Sequence, residues 1–158
     1  MNRKNFFRKP MLFVGMLVLS VMVLAACTPA ATPEPMPVDI APAITIQVAT
    51  DPTLGKILVD GKGMTLYMYT KDEPNKSNCS GDCLVNWPPL LAVDNPGLGD
   101  GVDAAMLGTA DLADGSKIVT YNKMPLYYWK NDTEPGQTTG QDVGGVWYVV
   151  SPAGEVIK

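Results

Sequence analysis

The chain has 158 residues, with 12 basic and 16 acidic side chains, three cysteines and no histidine. That length holds one ordinary domain, and the missing histidine excludes Ser-His-Asp and Cys-His catalysis and every histidine-ligated metal site. The acidic balance speaks against nucleic acid as a partner, because holding a phosphate backbone takes clustered Lys and Arg.

The first 26 residues read as an export signal. Arg3, Lys4, Arg8 and Lys9 precede a nearly unbroken apolar run over residues 11–26, short for a membrane span and ending in small residues. The run ends in Leu24-Ala25-Ala26-Cys27, which resembles the lipobox of bacterial lipoproteins. The resemblance implies cleavage before Cys27, diacylation of its thiol and acylation of the new amino terminus. Two or more acyl chains hold a protein stably to a bilayer, so we expect an extracytoplasmic protein whose membrane partner is reached through lipid on Cys27. Thr28 follows Cys27 rather than the aspartate associated with inner-membrane retention. Both one-membrane and two-membrane cells fit. With four of the 12 basic residues and none of the 16 acidic ones inside the signal, the remainder carries eight basic against 16 acidic groups. No arginine remains.

After Cys27, five prolines in residues 28–43 disfavour helix and central strand and favour extended polyproline II. At about 3.1 Å per residue, residues 27–43 read as a tether of up to ~50 Å.

The folded domain is expected over residues 44–158 as all-β, a compact sandwich or small barrel. Ile44-Thr45-Ile46-Gln47-Val48 alternates with period two, as a half-buried strand does. Residues 56–59 and 64–69 flank Asp60-Gly61-Lys62-Gly63 and read as a β-hairpin. Residues 94–114 read as a loop with a helical turn at most, near Ala104-Ala105-Met106-Leu107. Residues 117–120 and 124–129 flank Tyr121-Asn122-Lys123 as a second hairpin. Trp147-Tyr148-Val149-Val150 reads as another strand, with Glu155-Val156-Ile157 closing the sheet.

Two of these stretches are one stretch repeated. Residues 64–72 and 124–132 align at an offset of 60, and the register extends from Gly55 on Gly115 through Trp87 on Trp147. The domain therefore divides into repeats at about 55–91 and 115–151, and a repeat fixes the architecture before anything else does. In a strand, alternate residues face opposite sides. Met64, Leu66 and Met68 share one face with counterparts Met124, Leu126 and Tyr128. Tyr67 and Tyr69 share the other with counterparts Tyr127 and Trp129. Both faces are too apolar to stay wet, so the aromatics are expected to pack as core; an aromatic ligand patch or a ladder for electron hopping is the sharper alternative.

Asp72 and Asp132 follow these aromatics and are expected to cap turns through backbone N–H groups, with metal ligation or an acid–base pair as the functional alternative. With Cys27 lipidated, Cys79 and Cys83 remain for one disulfide around Ser80-Gly81-Asp82 in an oxidising compartment. No helical pattern is read after it, and Pro88-Pro89 stops one. A redox-active pair would more usually stand as Cys-x-x-Cys at a helix start. Copper on Cys83 with Met64, Met68 or Met124 suits soft ligands, but methionine is also a common core filler. Asp94, Asp100, Asp103, Asp111 and Asp114 do not have EF-hand spacing, and no metal or other cofactor is expected.

These residues together resemble the bacterial secreted-repeat lipoproteins, marked by a repeated Tyr-x-[Phe/Trp/Tyr]-x-x-Asp motif. Here the motif stands as Tyr67 to Asp72 and as Tyr127 to Asp132, with Cys79 and Cys83 before Trp87-Pro88-Pro89 and a glycine-rich run over residues 136–145 before Trp147. The resemblance spans about residues 55–154 and implies fold and address without a substrate. The expectation is a non-enzymatic lipoprotein of the cell envelope, binding an envelope protein or a small ligand or serving structurally. Tyr67, Tyr69, Asp72, Trp87, Tyr127, Trp129, Asp132 and Trp147 are its candidate ligand positions. The alternative is a redox or electron-transfer accessory that uses Cys79/Cys83, methionines or the Tyr/Trp side chains.

Overall fold

The structure, a computed structural model, describes residues 45–94 and 96–158. The signal segment, Cys27, the tether and Ile44 lie outside the described residues. No helix among the described residues is long and apolar enough to cross a membrane.

The domain is all-β, as expected, and is built from three small sheets that do not close into a barrel. Strands β1 (Thr45–Asp51) and β2 (Gly55–Asp60) form an antiparallel hairpin, with Ile46 opposite Asp60 and Asp51 opposite Gly55. The turn is specified locally. Asp51 Oδ1 accepts from Thr53 N at 2.8 Å and Leu54 N at 2.7 Å, and Gly55 takes the positive φ that closes it. The strand β4 (Gly97–Leu98) adds in parallel to β1 at Thr45 and Ile46. In the second repeat β5 (Leu107–Asp111) and β6 (Lys117–Tyr121) make the corresponding hairpin, and β7 (Met124–Pro125) pairs with β6.

The third sheet joins the repeats. Strand β3 (Tyr67–Tyr69) of the first repeat pairs antiparallel with β8 (Trp147–Val149) of the second, and Leu58 N donates to Val150 O at 2.8 Å. Residues 88–91 of the first repeat do the reciprocal thing. Tyr128 N donates to Pro88 O at 2.8 Å, Leu90 N to Leu126 O at 2.9 Å and Val119 N to Leu90 O at 2.8 Å. Each repeat thus lends its last extended segment to the other repeat. The hairpin expected over residues 56–69 forms near its turn, with Asp60 N donating to Met64 O at 2.8 Å and Leu66 N to Leu58 O at 3.1 Å, but does not extend to Tyr67–Tyr69. Strand β2 pairs continuously with β1, and meets the following segment only through the Val59–Thr65 bridge and nearby backbone bonds. The backbone edge of Tyr67–Tyr69 is taken by β8 instead.

Four further segments differ from expectation, the first being Gly97–Leu98, read as loop and found as strand β4 beside β1. Leu107–Asp111, read as loop, is strand β5, because its pairing with β6 outweighs the weak strand preference of Leu-Gly-Thr-Ala-Asp; only Ala104–Met106 makes a helical (3-10) turn there. Asp82–Asn86, read as non-helical, is the short helix α1. It is a single turn closed by Trp87 N donating to Cys83 O at 2.8 Å, and Pro88-Pro89 ends it. The expected strand over residues 155–157 is reduced to one bridge, Val150 to Val156.

The period-two reading of the motif holds in the packing. Leu66, Met68 and Leu126 are buried in one apolar cluster with Leu58, Val119 and Val150. Tyr67, Tyr127, Trp87 and Trp147 are buried in a second with Ile57, Ile118 and Val149. Sheets covered on both faces explain why these segments are apolar at nearly every position.

Candidate functional site at the junction of the repeats

The candidate residues converge at the seam between the two repeats. Tyr67 N donates to Tyr127 O at 2.8 Å and Tyr127 N to Tyr67 O at 2.9 Å, so the two motif tyrosines start from one reciprocal backbone pair. Their hydroxyls then cross. Tyr67 donates to Asp132 Oδ2 of the second repeat at 2.5 Å, and Tyr127 to Asp72 Oδ2 of the first at 2.7 Å. All four side chains are buried. A hydrogen bond to an ionised group is among the stronger kinds, and a buried carboxylate without one is costly.

The remaining carboxylate oxygens are held by the loops that follow. Asp72 Oδ1 accepts from Asn78 N at 2.7 Å, while Asp132 Oδ1 accepts from Thr139 N at 3.0 Å and Thr139 Oγ1 at 2.6 Å. The tyrosine oxygens also have second partners: Gly140 N donates to Tyr67 Oη at 3.2 Å, and Tyr127 Oη lies 2.7 Å from Ser77 Oγ. Burial pushes the Asp72 carboxyl above its ordinary value, opposed by the bonds from Asn78 and Tyr127. Burial, reinforced by the carboxylate beside each phenol, pushes Tyr67 and Tyr127 strongly up, so both stay protonated.

The aromatic rings form one stack across the same seam. Trp87 and Trp147 lie face to face, with centroids 3.9 Å apart and planes 5° apart. Tyr69 of the first repeat stacks on Trp147 at 4.3 Å, and Trp129 of the second covers Trp87 at 4.2 Å with its plane tilted by 30°. The order is Tyr69, Trp147, Trp87, Trp129. The two tryptophans are buried and the two end rings half-buried. Tyr67 meets Trp87 edge-on at 5.4 Å, and Tyr127 meets Trp147 edge-on at 5.2 Å. Such pairs contribute about 0.5–1.5 kcal/mol each beyond the area they bury.

Cys79 and Cys83 are joined in a disulfide that packs beside this aromatic cluster, with Cys79 buried. Cys83 therefore offers no thiolate. Of the soft side chains considered for copper, Met68 and Met124 belong to the other cluster, apart from the cysteines. No group of three acidic or cysteine side chains with metal-site geometry occurs among the described residues. Three of the five loop aspartates are engaged separately: Asp103 accepts from Ala105 N, Asp111 pairs with Lys117, and Asp114 accepts from Ser116.

Sequence reasoning brought the eight candidates together by type but did not find Ser77, Thr139 or Gly140, which complete the tyrosine and aspartate contacts. Glycine at 140 carried the one available signal. A Cβ there would lie 2.8 Å from Tyr67 Cζ and 2.9 Å from Trp87 Cη2.

Residues 48–91 and 108–151 each match the family model described as Lipoprotein_15, a secreted repeat of unknown function. The chain belongs to this family. The matched repeats contain both crossed Tyr–Asp pairs and the whole ring stack, and they begin earlier than Gly55 and Gly115, taking in parts of β1 and β5. The family's description as secreted places the repeat outside the cytoplasm. Neither a curated protein nor a solved structure matches the chain.

Proposed function

We propose that this protein is a lipid-anchored module of the cell envelope, held through Cys27 and acting without catalysis, as a structural element or as a binder of an envelope protein or small ligand. The observation that carries the non-catalytic part is the use of the repeated motif. Its aspartates and its first tyrosines are buried and hydrogen-bonded to one another across the seam. Groups so engaged define a rigid junction between the repeats rather than a set of free acids and bases. The lipobox and the proline-rich segment after it support the anchor.

Intact and native mass spectrometry of the full chain, expressed in a bacterial host and extracted from membranes, tests this reading. It predicts Cys27 as the first residue, carrying acyl mass, with one disulfide and no retained metal. An unmodified Cys27 with residues 1–26 still attached would overturn the anchor. A stoichiometric metal or organic cofactor would overturn the simple binding or structural role.

A second reading, an electron-transfer accessory, is favoured by one observation: the continuous four-ring stack whose end rings, Tyr69 and Trp129, are the less buried ones. Tryptophan and tyrosine are the side chains most readily oxidised by one electron after the thiolate, and rings in contact pass charge readily. This reading predicts that a photogenerated one-electron oxidant gives a tryptophan radical in the folded chain. An oxidation product confined to methionine would contradict it.

A further inference from the structure

The reciprocal Tyr–Asp bonds and the ring stack occupy one site, and their juxtaposition has a chemistry that neither has alone. A phenol that loses an electron becomes a very strong acid and must shed its proton. A carboxylate already accepting that O–H bond takes the proton without solvent. We propose that Tyr67 with Asp132, and Tyr127 with Asp72, are two proton-coupled redox sites at which an oxidising equivalent entering the tryptophan stack comes to rest, the substrates being strong one-electron oxidants outside the cytoplasm.

The geometry supplies each step. An oxidant at the half-buried Trp129 or Tyr69 removes one electron and is itself reduced by one. The vacancy moves along the stack over separations of 4.2, 3.9 and 4.3 Å. From Trp87 it reaches Tyr67 across the 5.4 Å edge contact, and from Trp147 it reaches Tyr127 across 5.2 Å. The tyrosine gives up one electron to the tryptophan and its phenolic proton to the carboxylate. Tyr–OH and Asp–COO⁻ become the neutral phenoxyl radical and Asp–COOH, and the tryptophan is restored. The proton crosses a single hydrogen bond of 2.5 Å at Tyr67 or 2.7 Å at Tyr127. At Tyr67 the Gly140 N–H stays on the phenoxyl oxygen after the proton has left, which holds the oxygen in place for the return transfer. Burial of both tyrosines shields the radical from water and from coupling to another chain.

This rests on the electron-transfer reading and goes further, since that reading needs only the stack. The test is flash oxidation of the full exported chain by photogenerated tris(bipyridine)ruthenium(III), followed by transient absorbance and by electron paramagnetic resonance. The proposal predicts a tryptophan radical that decays into a tyrosyl radical, at a rate independent of buffer concentration because the base is internal. In Asp72→Asn/Asp132→Asn the tyrosyl step slows by about a hundredfold, the lower end of what a positioned base contributes. The buffer dependence of the unmodified chain needs no variant, so a variant that fails to fold leaves the test intact. A tyrosyl rate that rises with buffer concentration would overturn the proposal. So would a tryptophan radical that never passes to tyrosine, which would still leave electron transfer through the stack standing. With no radical on either residue type, both readings fall.

Discussion

Trp87 and Trp147 are sequence equivalents that lie face to face, 3.9 Å apart and 5° from parallel. One repeat's tryptophan therefore packs on the other's. The outer rings follow the same rule, Tyr69 covering Trp147 and Trp129 covering Trp87. Such reciprocity makes the seam the centre of the domain, and it makes the stability of each repeat depend on the other.

Gly140, in the segment that follows Asp132, packs directly against this seam. A methyl group there would sit 2.8 Å from Tyr67 Cζ and 2.9 Å from Trp87 Cη2, both ring atoms within the buried cluster. Gly140→Ala is expected to destabilise the domain by about 1–3 kcal/mol, the usual cost of overpacking a filled core. Gly145→Ala, with nothing near its Cβ but a positive φ, isolates backbone strain as a control. Urea denaturation compares the two. A neutral Gly140→Ala would show that the loop yields freely.

The disulfide closes a small ring. Replacing Cys79 and Cys83 by serine should cost about 2 kcal/mol by the chain-entropy relation. The loss should be uneven, because the residues just before the staple supply Asn78 N to Asp72 and Ser77 Oγ to Tyr127, whereas Tyr67 and Asp132 are served by residues 139–140. Amide hydrogen exchange in the variant should quicken at Asn78 more than at Thr139. Equal acceleration at both would contradict this assignment.

Three phenols shielded from water set an alkaline limit, Tyr67 and Tyr127 buried and Tyr128 half-buried. Tyr67, Tyr127 and Tyr128 all have raised folded-state pKa values, chiefly through burial, with a carboxylate beside each. They stay neutral in the folded chain where the unfolded chain ionises them, near pH 10.0. Their contribution is therefore complete below that value and is lost as pH rises beyond it. Asp72 behaves oppositely to most carboxylates. Its folded pKa is raised from 3.8, so the folded protein holds more protons just above that value. On this group alone, stability rises as pH falls through that window. Tyrosine absorbance titrated alongside circular dichroism checks the alkaline limb. Ionisation of all six tyrosines while the fold persists would contradict it.

Much of this arrangement is legible in the sequence, and the limits have physical causes. The 60-residue offset is plain because aromatic and aspartate positions repeat without a gap from Tyr67 to Trp87 and from Tyr127 to Trp147. The two faces of each motif strand are also plain, because side chains alternate whatever the neighbouring strand is. What alternation does not carry is the identity of that neighbour. The sequence suggests that residues 64–69 return along β2, yet Tyr67–Tyr69 pair with β8, some 80 residues away. Asp72 and Asp132 have the local backbone partners of a loop aspartate, at Asn78 and Thr139. Their tyrosine partners lie 55 and 65 residues off and leave no local signal. Strand β5 was hidden for a related reason, since Gly108 and Ala110 extend only because β6 lies beside them.

The most direct test of the crossed junction is a pair of double-mutant cycles read by urea denaturation. One combines Tyr67→Phe with Asp132→Asn, across the repeats, and the other combines Tyr67→Phe with Asp72→Asn, within one repeat. The structure predicts a coupling of about 0.5–3 kcal/mol in the first cycle and none beyond about 0.5 kcal/mol in the second. Coupling confined to the within-repeat pair would mean that each repeat completes its own site, and the account of a shared seam would fail.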